Sequence, residues 1–148
     1  MKRLLFLFSF CIALTMSAQD VTWHTDFDQA KAEAKANGKP ILMYFTGSDW
    51  CGPCKMLKKD FWQNAEFVDQ AHDFVLLEVD IPFREDILTP EQFEKNKKLQ
   101  AKYNKEKSFP KVLALNSSGR VMERISAYSM LRDTSMYFQF LDKARSIR

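Results

Sequence analysis

The chain has 148 residues, of which 28% are charged and 46% are hydrophobic, and its formal net charge is +3. This length fits a single domain, and the composition excludes a disordered, collagen-like or coiled-coil protein. The sequence contains no internal repeat, which argues against solenoid and propeller folds.

The start of the chain predicts a secretory signal peptide, cleaved from the mature protein, over residues 1–18. Lys2 and Arg3 precede the apolar stretch Leu4–Met16, which is followed by small residues. An uncleaved membrane anchor is the alternative, but the thirteen residues of this stretch would reach only about 20 Å as a helix, short of the ~30 Å hydrocarbon core. Cleavage leaves residues 19–148 as one domain of nearly balanced charge, which excludes a dedicated nucleic-acid binder.

The residues after the signal peptide alternate between strand and helix patterns. Thr25 and Asp28 resemble a capping box at the start of one helix, and Gly38 is typical of the residue that ends it. The apolar run Pro40–Thr46 indicates a strand that is buried on both faces. The predicted elements of this half are a strand at Val21–His24, a helix at Asp26–Asn37, a strand at Pro40–Thr46, a helix at Cys51–Trp62, a helical turn at Asn64–His72 and a strand at Phe74–Val79.

The second half begins with an irregular segment and then a strong helix start. Thr89 fits the N-cap of a helix, Pro90 fits its first position and Gln92 fits its third position. The alternation of strands and helices predicts an α/β fold with a central mixed sheet, helices on both faces and a closing antiparallel hairpin. The predicted elements of this half are a helix at about 89–104, strands at Pro110–Asn116 and Arg120–Ile125, and a helix at Asp133–Arg145.

Two cysteines, Cys51 and Cys54, are separated by two residues at the point where a buried strand gives way to a helix. The free N–H groups and the positive dipole end of a helix N-terminus favour a thiolate, so we expect the pKa of Cys51 to lie below the usual ~8.5. Cys54 lies one turn deeper and is expected to remain a thiol until it reacts. The pattern therefore predicts that Cys51 attacks a disulfide and that Cys54 resolves the mixed disulfide.

Three other roles exist for a cysteine pair. A structural disulfide fits an oxidising compartment, although so small a loop gives little stabilisation. A zinc site needs four ligands, and the remaining candidates, His24 and His72, are not at ligand spacing. Covalent haem attachment needs a histidine after the second cysteine, where Lys55 stands. We therefore expect no metal, and no cofactor beyond the Cys51–Cys54 disulfide.

The segment WCGPCK, which follows a buried strand and opens a helix, resembles thioredoxin, and FTGSDWCGPCK looks especially like exported bacterial thioredoxin-like proteins. A second match is Phe109-Pro110 before a predicted strand. The resemblance covers Val21–Arg148 and implies a thioredoxin-like fold. It further implies that Pro110 is a cis proline beside the cysteine pair and that the backbone of Phe109 pairs with an extended substrate. It implies supporting roles in the active site for Trp50, Gly52 and Pro53.

The sequence departs from the thioredoxin pattern in the strands beneath the cysteines. Thioredoxin has a buried Asp in the strand before the motif and a Lys on the next strand, and the matching places here are Tyr44 and Leu76. The usual proton acceptor for the buried thiol is therefore missing. Glu78 or Asp80 is a candidate substitute, although a solvated carboxylate at the strand end is the simpler interpretation.

Two further departures lie later in the chain. The segment from Asp80 to Pro110 is longer than in plain thioredoxin, and a lysine-rich helix fills it. A solvated helix face is the default interpretation, and a docking surface for an acidic partner is the alternative. Ser126 or Ala127 stands where a glycine usually faces the cis proline. The lysines of the inserted segment are Lys95, Lys97, Lys98, Lys102, Lys105 and Lys107.

The resemblance implies an exported, periplasmic and monomeric thiol-disulfide oxidoreductase that acts on protein or peptide disulfides. Gly52 and Pro53 place no histidine between the cysteines, which favours a reductase or isomerase over a strong oxidant. A reductase outside the cytosol needs a membrane protein as its electron donor. The alternative function is a non-catalytic client-binding or assembly module of the same fold, for example in cytochrome c maturation.

Overall fold

The computed structural model describes residues 21–147, which form a five-stranded sheet with helices on both faces. The strands are β1 (Trp23–His24), β2 (Ile41–Thr46), β3 (Val75–Asp80), β4 (Lys111–Leu115) and β5 (Val121–Ser126). The helices are α1 (Phe27–Asn37), α2 (Gly52–Leu57), α3 (Ala65–Gln70), α4 (Pro90–Tyr103) and α5 (Ser135–Arg145). A π-helical turn, Lys58–Trp62, continues α2, and a short 3-10 helix, Ala71–Asp73, follows α3.

The sheet is mixed, with strand order β1-β3-β2-β4-β5. β3 runs parallel to both β1 and β2, whereas β4 runs antiparallel to β2 and to β5. This confirms the predicted α/β class and the closing hairpin. β2 lies at the centre and is buried throughout, as its continuous apolar sequence predicts.

The sheet separates two apolar layers. α1 and α4 cover one face, and α2, α3 and α5 cover the other. The buried face of α5 is Tyr137, Phe140, Leu141 and Ala144, at the spacing expected of an amphipathic helix. The second layer brings α5 and α2 together over Leu42 and Tyr44 of β2, so the cysteine-bearing helix is seated on a packed core.

The cap of α1 differs from the prediction. Asp26, rather than Thr25, caps this helix, because its carboxylate accepts hydrogen bonds from both Asp28 N and Gln29 N. Gly38 ends α1 with a φ of 63°, a left-handed conformation that glycine adopts without strain.

The cap of α4 is the predicted one: Thr89 Oγ1 accepts from Gln92 N at 3.2 Å. The Gln92 side chain does not complete the box, because it donates to Thr25 O and to Asn96 Oδ1 instead. The inserted helix is thereby tied to the start of α1.

The predicted signal peptide at residues 1–18 lies outside the described residues. Within residues 21–147, no helix is long and apolar enough to cross a bilayer.

Candidate functional site

Cys51 and Cys54 form a disulfide at the end of β2, with their Cα atoms 5.3 Å apart. Cys51 is the N-cap of α2, and its Sγ accepts a hydrogen bond from Cys54 N at 3.2 Å. Pro53 occupies the first turn, where a backbone N–H would have no helical partner. The sulfur of Cys51 thus takes the place of the side-chain oxygen that usually caps a helix.

The turn before Cys51 is held by hydrogen bonds to the end of β3. Cys51 N donates to Gly47 O at 2.8 Å, and Ser48 donates to the Asp80 carboxylate through both its backbone N and its hydroxyl. A Cβ atom on Gly47 would overlap the indole of Trp50. Asp80 is therefore an anchor of this turn and not the solvated carboxylate that the sequence favours.

Trp50 connects the disulfide turn to the segment after β3. Its indole Nε1 donates to Ile81 O at 2.8 Å, and its ring stacks on Phe83 with centroids 4.8 Å apart. The edge of the indole also meets the ring of Phe109, with centroids 5.2 Å apart. Phe83 could not be singled out from the sequence, because the irregular segment after β3 also contains apolar residues such as Ile81 and Ile87.

Asp49 faces the same segment. Its carboxylate accepts from Phe83 N at 3.1 Å and from Arg84 N at 3.0 Å. Desolvation raises the pKa of Asp49, but these backbone hydrogen bonds and the nearby Lys55 outweigh it, so the net pKa is lowered. The hydrogen bonds of Asp49 thus fix the loop that carries Phe83.

The peptide bond between Phe109 and Pro110 is cis. Pro110 O accepts from Ala127 N at 3.0 Å, so Ala127, and not Ser126, stands opposite the proline. Ala127 has a φ of 69°, in the region that normally favours glycine. Ala127 thus keeps a backbone conformation that glycine favours and adds a methyl group opposite Pro110.

The segment before Pro110 is held by two buried side chains. Asn104 bonds both the N–H and the carbonyl of Ser108. Lys111, which is 2% exposed, donates to Tyr103 O at 3.1 Å and forms an ion pair with Glu106. These contacts join the end of α4 to the start of β4 and fix the loop that carries Phe109.

The residue of β3 that lies beside Tyr44 of β2 is not the one expected from the thioredoxin pattern. Tyr44 lies opposite Glu78, whereas Leu76 lies opposite Leu42, so Glu78 and not Leu76 is the neighbour of Tyr44 on the next strand. The Tyr44 hydroxyl donates to Cys54 O at 3.3 Å, and desolvation is the main cause that raises its pKa to about 12. Desolvation also raises the pKa of Glu78, against the attraction of Lys58.

Both cysteines are covered in the disulfide form. Cys51 is 2% exposed and Cys54 is 1% exposed. Trp50 and Phe109 pack against the apolar cluster that contains them. Both sulfurs are therefore shielded from solvent in the oxidised protein.

The remaining candidates lie away from the disulfide. Residues 21–147 contain no group of three or more His, Cys, Asp or Glu side chains arranged to hold a metal ion. His72 is exposed and pairs only with its neighbour Asp73. Two lysines of α4 are matched by acids: Lys95 by Asp26 and Lys97 by Glu94.

The comparisons with known proteins agree on one fold. A family model described as thioredoxin-like matches residues 22–117. The disulfide bond reductase DsbH of Chlamydia pneumoniae is 32% identical over 111 residues, which are 74% of this chain and 65% of that protein. The thioredoxin-related protein DsbJ of the same organism is 29% identical over 75% of this chain and 32% of its own length. A solved structure of a DsbH oxidoreductase matches 92% of each chain with a TM-score of 0.76 and 28% identity.

The chain spans just under two thirds of the first of these relatives and about one third of the second. Its match to the solved structure covers nearly the whole of both chains. The predicted mixed sheet with flanking helices is therefore confirmed by the structure and by the comparison.

Proposed function

This chain belongs to the thioredoxin-like family, and on that basis we propose that it is a thiol-disulfide oxidoreductase that reduces or isomerises disulfides in other proteins. The observation that carries the proposal is the Cys51–Cys54 disulfide, with the sulfur of Cys51 accepting the N–H of Cys54 in the first turn of α2. The similarity to a disulfide bond reductase and to a thioredoxin-related protein supports the same reaction class.

The reaction begins from the reduced protein. The Cys51 thiolate attacks one sulfur of a client disulfide, forms a mixed disulfide with it and releases the other client sulfur as a thiolate. Cys54 then loses its proton and attacks Cys51 Sγ, which releases the second client thiol and leaves the Cys51–Cys54 disulfide. Two electrons and the Cys54 proton have then passed to the client, whose remaining thiolate takes its proton from water.

The cap geometry assigns the attacking role to Cys51. A thiolate at this sulfur keeps the hydrogen bond from Cys54 N and faces the positive end of the helix. Cys54 lies inside the first turn, beneath Cys51, and its carbonyl is bonded to Tyr44. Cys54 is therefore the resolving cysteine.

The surrounding residues are assigned to client binding and to support. The backbone of Phe109, next to Pro110, pairs with an extended client strand. Trp50 shields one side of the disulfide, since its ring is held between Phe83 and Phe109. Gly52 and Pro53 form the first helical turn.

The direction of electron flow is reductive or isomerising. Gly52 and Pro53 supply no cationic side chain between the cysteines that would stabilise the reduced thiolate and make the protein a strong oxidant. We place the protein outside the inner membrane, in the periplasm, after cleavage of residues 1–18. A membrane protein that delivers electrons then returns the disulfide to the dithiol.

Reduction of insulin by dithiothreitol tests the proposal. The protein is expected to accelerate precipitation of the insulin B chain, and Cys51→Ser should abolish this activity. Cys54→Ser should instead accumulate mixed disulfides with clients, which non-reducing electrophoresis and mass spectrometry detect. Unchanged turnover in Cys51→Ser would refute the proposed enzymatic activity and favour a client-binding module.

A further inference from the structure

Phe83 is unusual because it is both exposed and held in place. Its side chain is 75% exposed, which leaves a large apolar surface in water. Its backbone N–H is bound by the Asp49 carboxylate, and its ring lies almost parallel to the indole of Trp50, at 13°. An exposed aromatic ring with so many constraints is a preformed contact surface, since little side-chain entropy remains to be lost on binding.

An apolar groove lies beside Phe83. It has a volume of about 200 Å³, and Phe83, Leu88, Pro90 and Phe93 are among its lining residues. A cavity of ~150 Å³ admits a benzene molecule, so this groove has room for a side chain the size of leucine or phenylalanine. Leu88, Pro90 and Phe93 belong to the inserted segment that distinguishes this chain from plain thioredoxin.

Three charged residues stand at the rim of the groove. Arg84 donates to the Asp86 carboxylate from both Nε and a terminal nitrogen. Glu85 also lines the groove, so one negative charge remains at the rim. This charge disfavours an acidic ligand, and the apolar lining favours an apolar side chain.

The groove is connected to the cysteine turn through the stacking of Phe83 on Trp50. Phe83 stacks on Trp50, which precedes Cys51 in the chain, and Trp50 in turn meets Phe109. Cys51 itself is almost completely covered. A polypeptide that presents a cystine to Cys51 must therefore lie against this row of aromatic rings.

We propose that Phe83 and the groove beside it form a specificity subsite for a large apolar side chain of the client polypeptide, within a few residues of its reacting cysteine. This inference rests on the proposed function, because it assigns the client side chain that accompanies disulfide exchange at Cys51. Selection works by burial. A leucine or aromatic side chain is transferred from water into the groove and gains free energy, whereas a serine side chain gains almost none.

Single-turnover reduction of peptide disulfides tests the subsite. Each substrate is a symmetric disulfide of a short peptide with one cysteine, and the residues near that cysteine are either leucine or serine. Rates with the reduced protein are divided by the rate with hydroxyethyl disulfide, which has no side chain to place in the groove. The leucine peptide is expected to react about tenfold faster than the serine peptide, as for other hydrophobic pockets.

Phe83→Ser should reduce this preference to less than about twofold, and Phe83→Leu should retain most of it. Met122→Ser is the matched control, because Met122 is an apolar side chain, 42% exposed, at the end of β5 remote from Pro110. It should keep the full preference. A Phe83→Ser protein that still prefers leucine, or a wild-type protein without preference, would overturn the subsite.

Failure of the proposed function gives a different result. In that case the reduced wild-type protein would leave every disulfide intact, hydroxyethyl disulfide included. Equilibrium binding of the leucine and serine peptides to the oxidised protein then tests the subsite independently of the reaction. Binding that favours leucine and requires Phe83 supports it, and equal binding of both peptides rejects it.

Discussion

Cys51 has two roles at the residue scale, since its backbone starts α2 and its sulfur accepts a hydrogen bond from the first helical turn. An anionic sulfur would strengthen that hydrogen bond, because charge-assisted bonds are roughly twice as strong as neutral ones. The same contact therefore stabilises the fold and activates the nucleophile.

Alkylation of Cys51 measures this activation. In reduced Cys54→Ser, the rate of reaction with iodoacetamide should rise with a midpoint below the free-thiol value of ~8.5, because the helix N-terminus favours the thiolate. Glutathione under identical conditions provides the reference. A midpoint at or above that of glutathione, or no reaction in the folded protein, would remove the basis for nucleophilic attack.

Gly47 has a structural role that its small size explains. Trp50 cannot move aside for an added methyl group, because it is bonded to Ile81 O and stacked on Phe83. Gly47→Ala should therefore lower the free energy of unfolding by about 1–3 kcal/mol and reduce insulin reduction. Gly52→Ala is the control, since a Cβ there meets no atom within 4 Å. Urea unfolding of both variants checks this, and equal stability would contradict it.

The central residues of the candidate site could be predicted from the sequence. The cysteine spacing places both sulfurs in one helical turn, and the disulfide in the structure joins the pair that the sequence singled out. The partners of Asp49 and Trp50 do not follow, because they lie more than thirty residues away, at Ile81, Phe83 and Arg84. Only the packing of the segment after β3 against the cysteine turn reveals them.

At the scale of elements, a cluster around Asp60 holds the loop between β5 and α5. Asp60, on the π-helical turn, accepts from the Tyr128 hydroxyl at 2.9 Å and from Arg132 Nε at 2.7 Å. The hydrogen bond from Arg132 is the main cause that lowers the pKa of Asp60. This loop follows Ala127, so the cluster ties the strand opposite Pro110 to the cysteine-bearing helix.

The lowered pKa of Asp60 predicts a pH dependence. Its ionised form contributes stability that is fully present above the unfolded value of ~3.9 and is lost as the pH falls through the lower folded pKa. The difference in Tm between wild type and Asp60→Asn should therefore be largest at neutral pH and should shrink below about pH 4. Thermal unfolding from pH 7 to pH 2 measures it. A difference that is constant across this range would contradict the assignment.

Most elements were predictable because their signals are local. Thr89-Pro90 starts α4, Gly38 ends α1 and the apolar run of β2 marks a central strand. The π-helical turn was not predictable, because its sequence also fits an ordinary helix. The cap of α1 was misassigned by one residue, since Thr25 and Asp26 are both good caps and only the geometry of the turn selects Asp26.

For the molecule as a whole, the alternation of strand and helix patterns was enough to predict an α/β domain with helices on both faces of the sheet. The pairing of β4 with β2 in the antiparallel sense was not contained in that pattern, because any of several strand orders would bury the same residues. The order matters for function, since it brings Pro110 at the start of β4 to the same end of the sheet as Cys51 after β2.

The reduction potential is a property of the whole domain, since it compares the stability of the folded dithiol and disulfide forms. The absence of a cationic residue between the cysteines predicts a value nearer to ~−270 mV than to ~−120 mV. Equilibration with glutathione buffers, followed by quantification of free thiols, measures it. A value near the oxidising end would reverse the proposed direction of electron flow.

The burial of Lys111 has a practical consequence. Amine-reactive reagents need a neutral, solvated amine, and this one is enclosed by Tyr103 O and Glu106. The label can reach it only while the segment ahead of Pro110 detaches from the end of α4. Its acylation rate, compared with that of the exposed lysines of α4, therefore measures how often the edge of the sheet next to Pro110 opens.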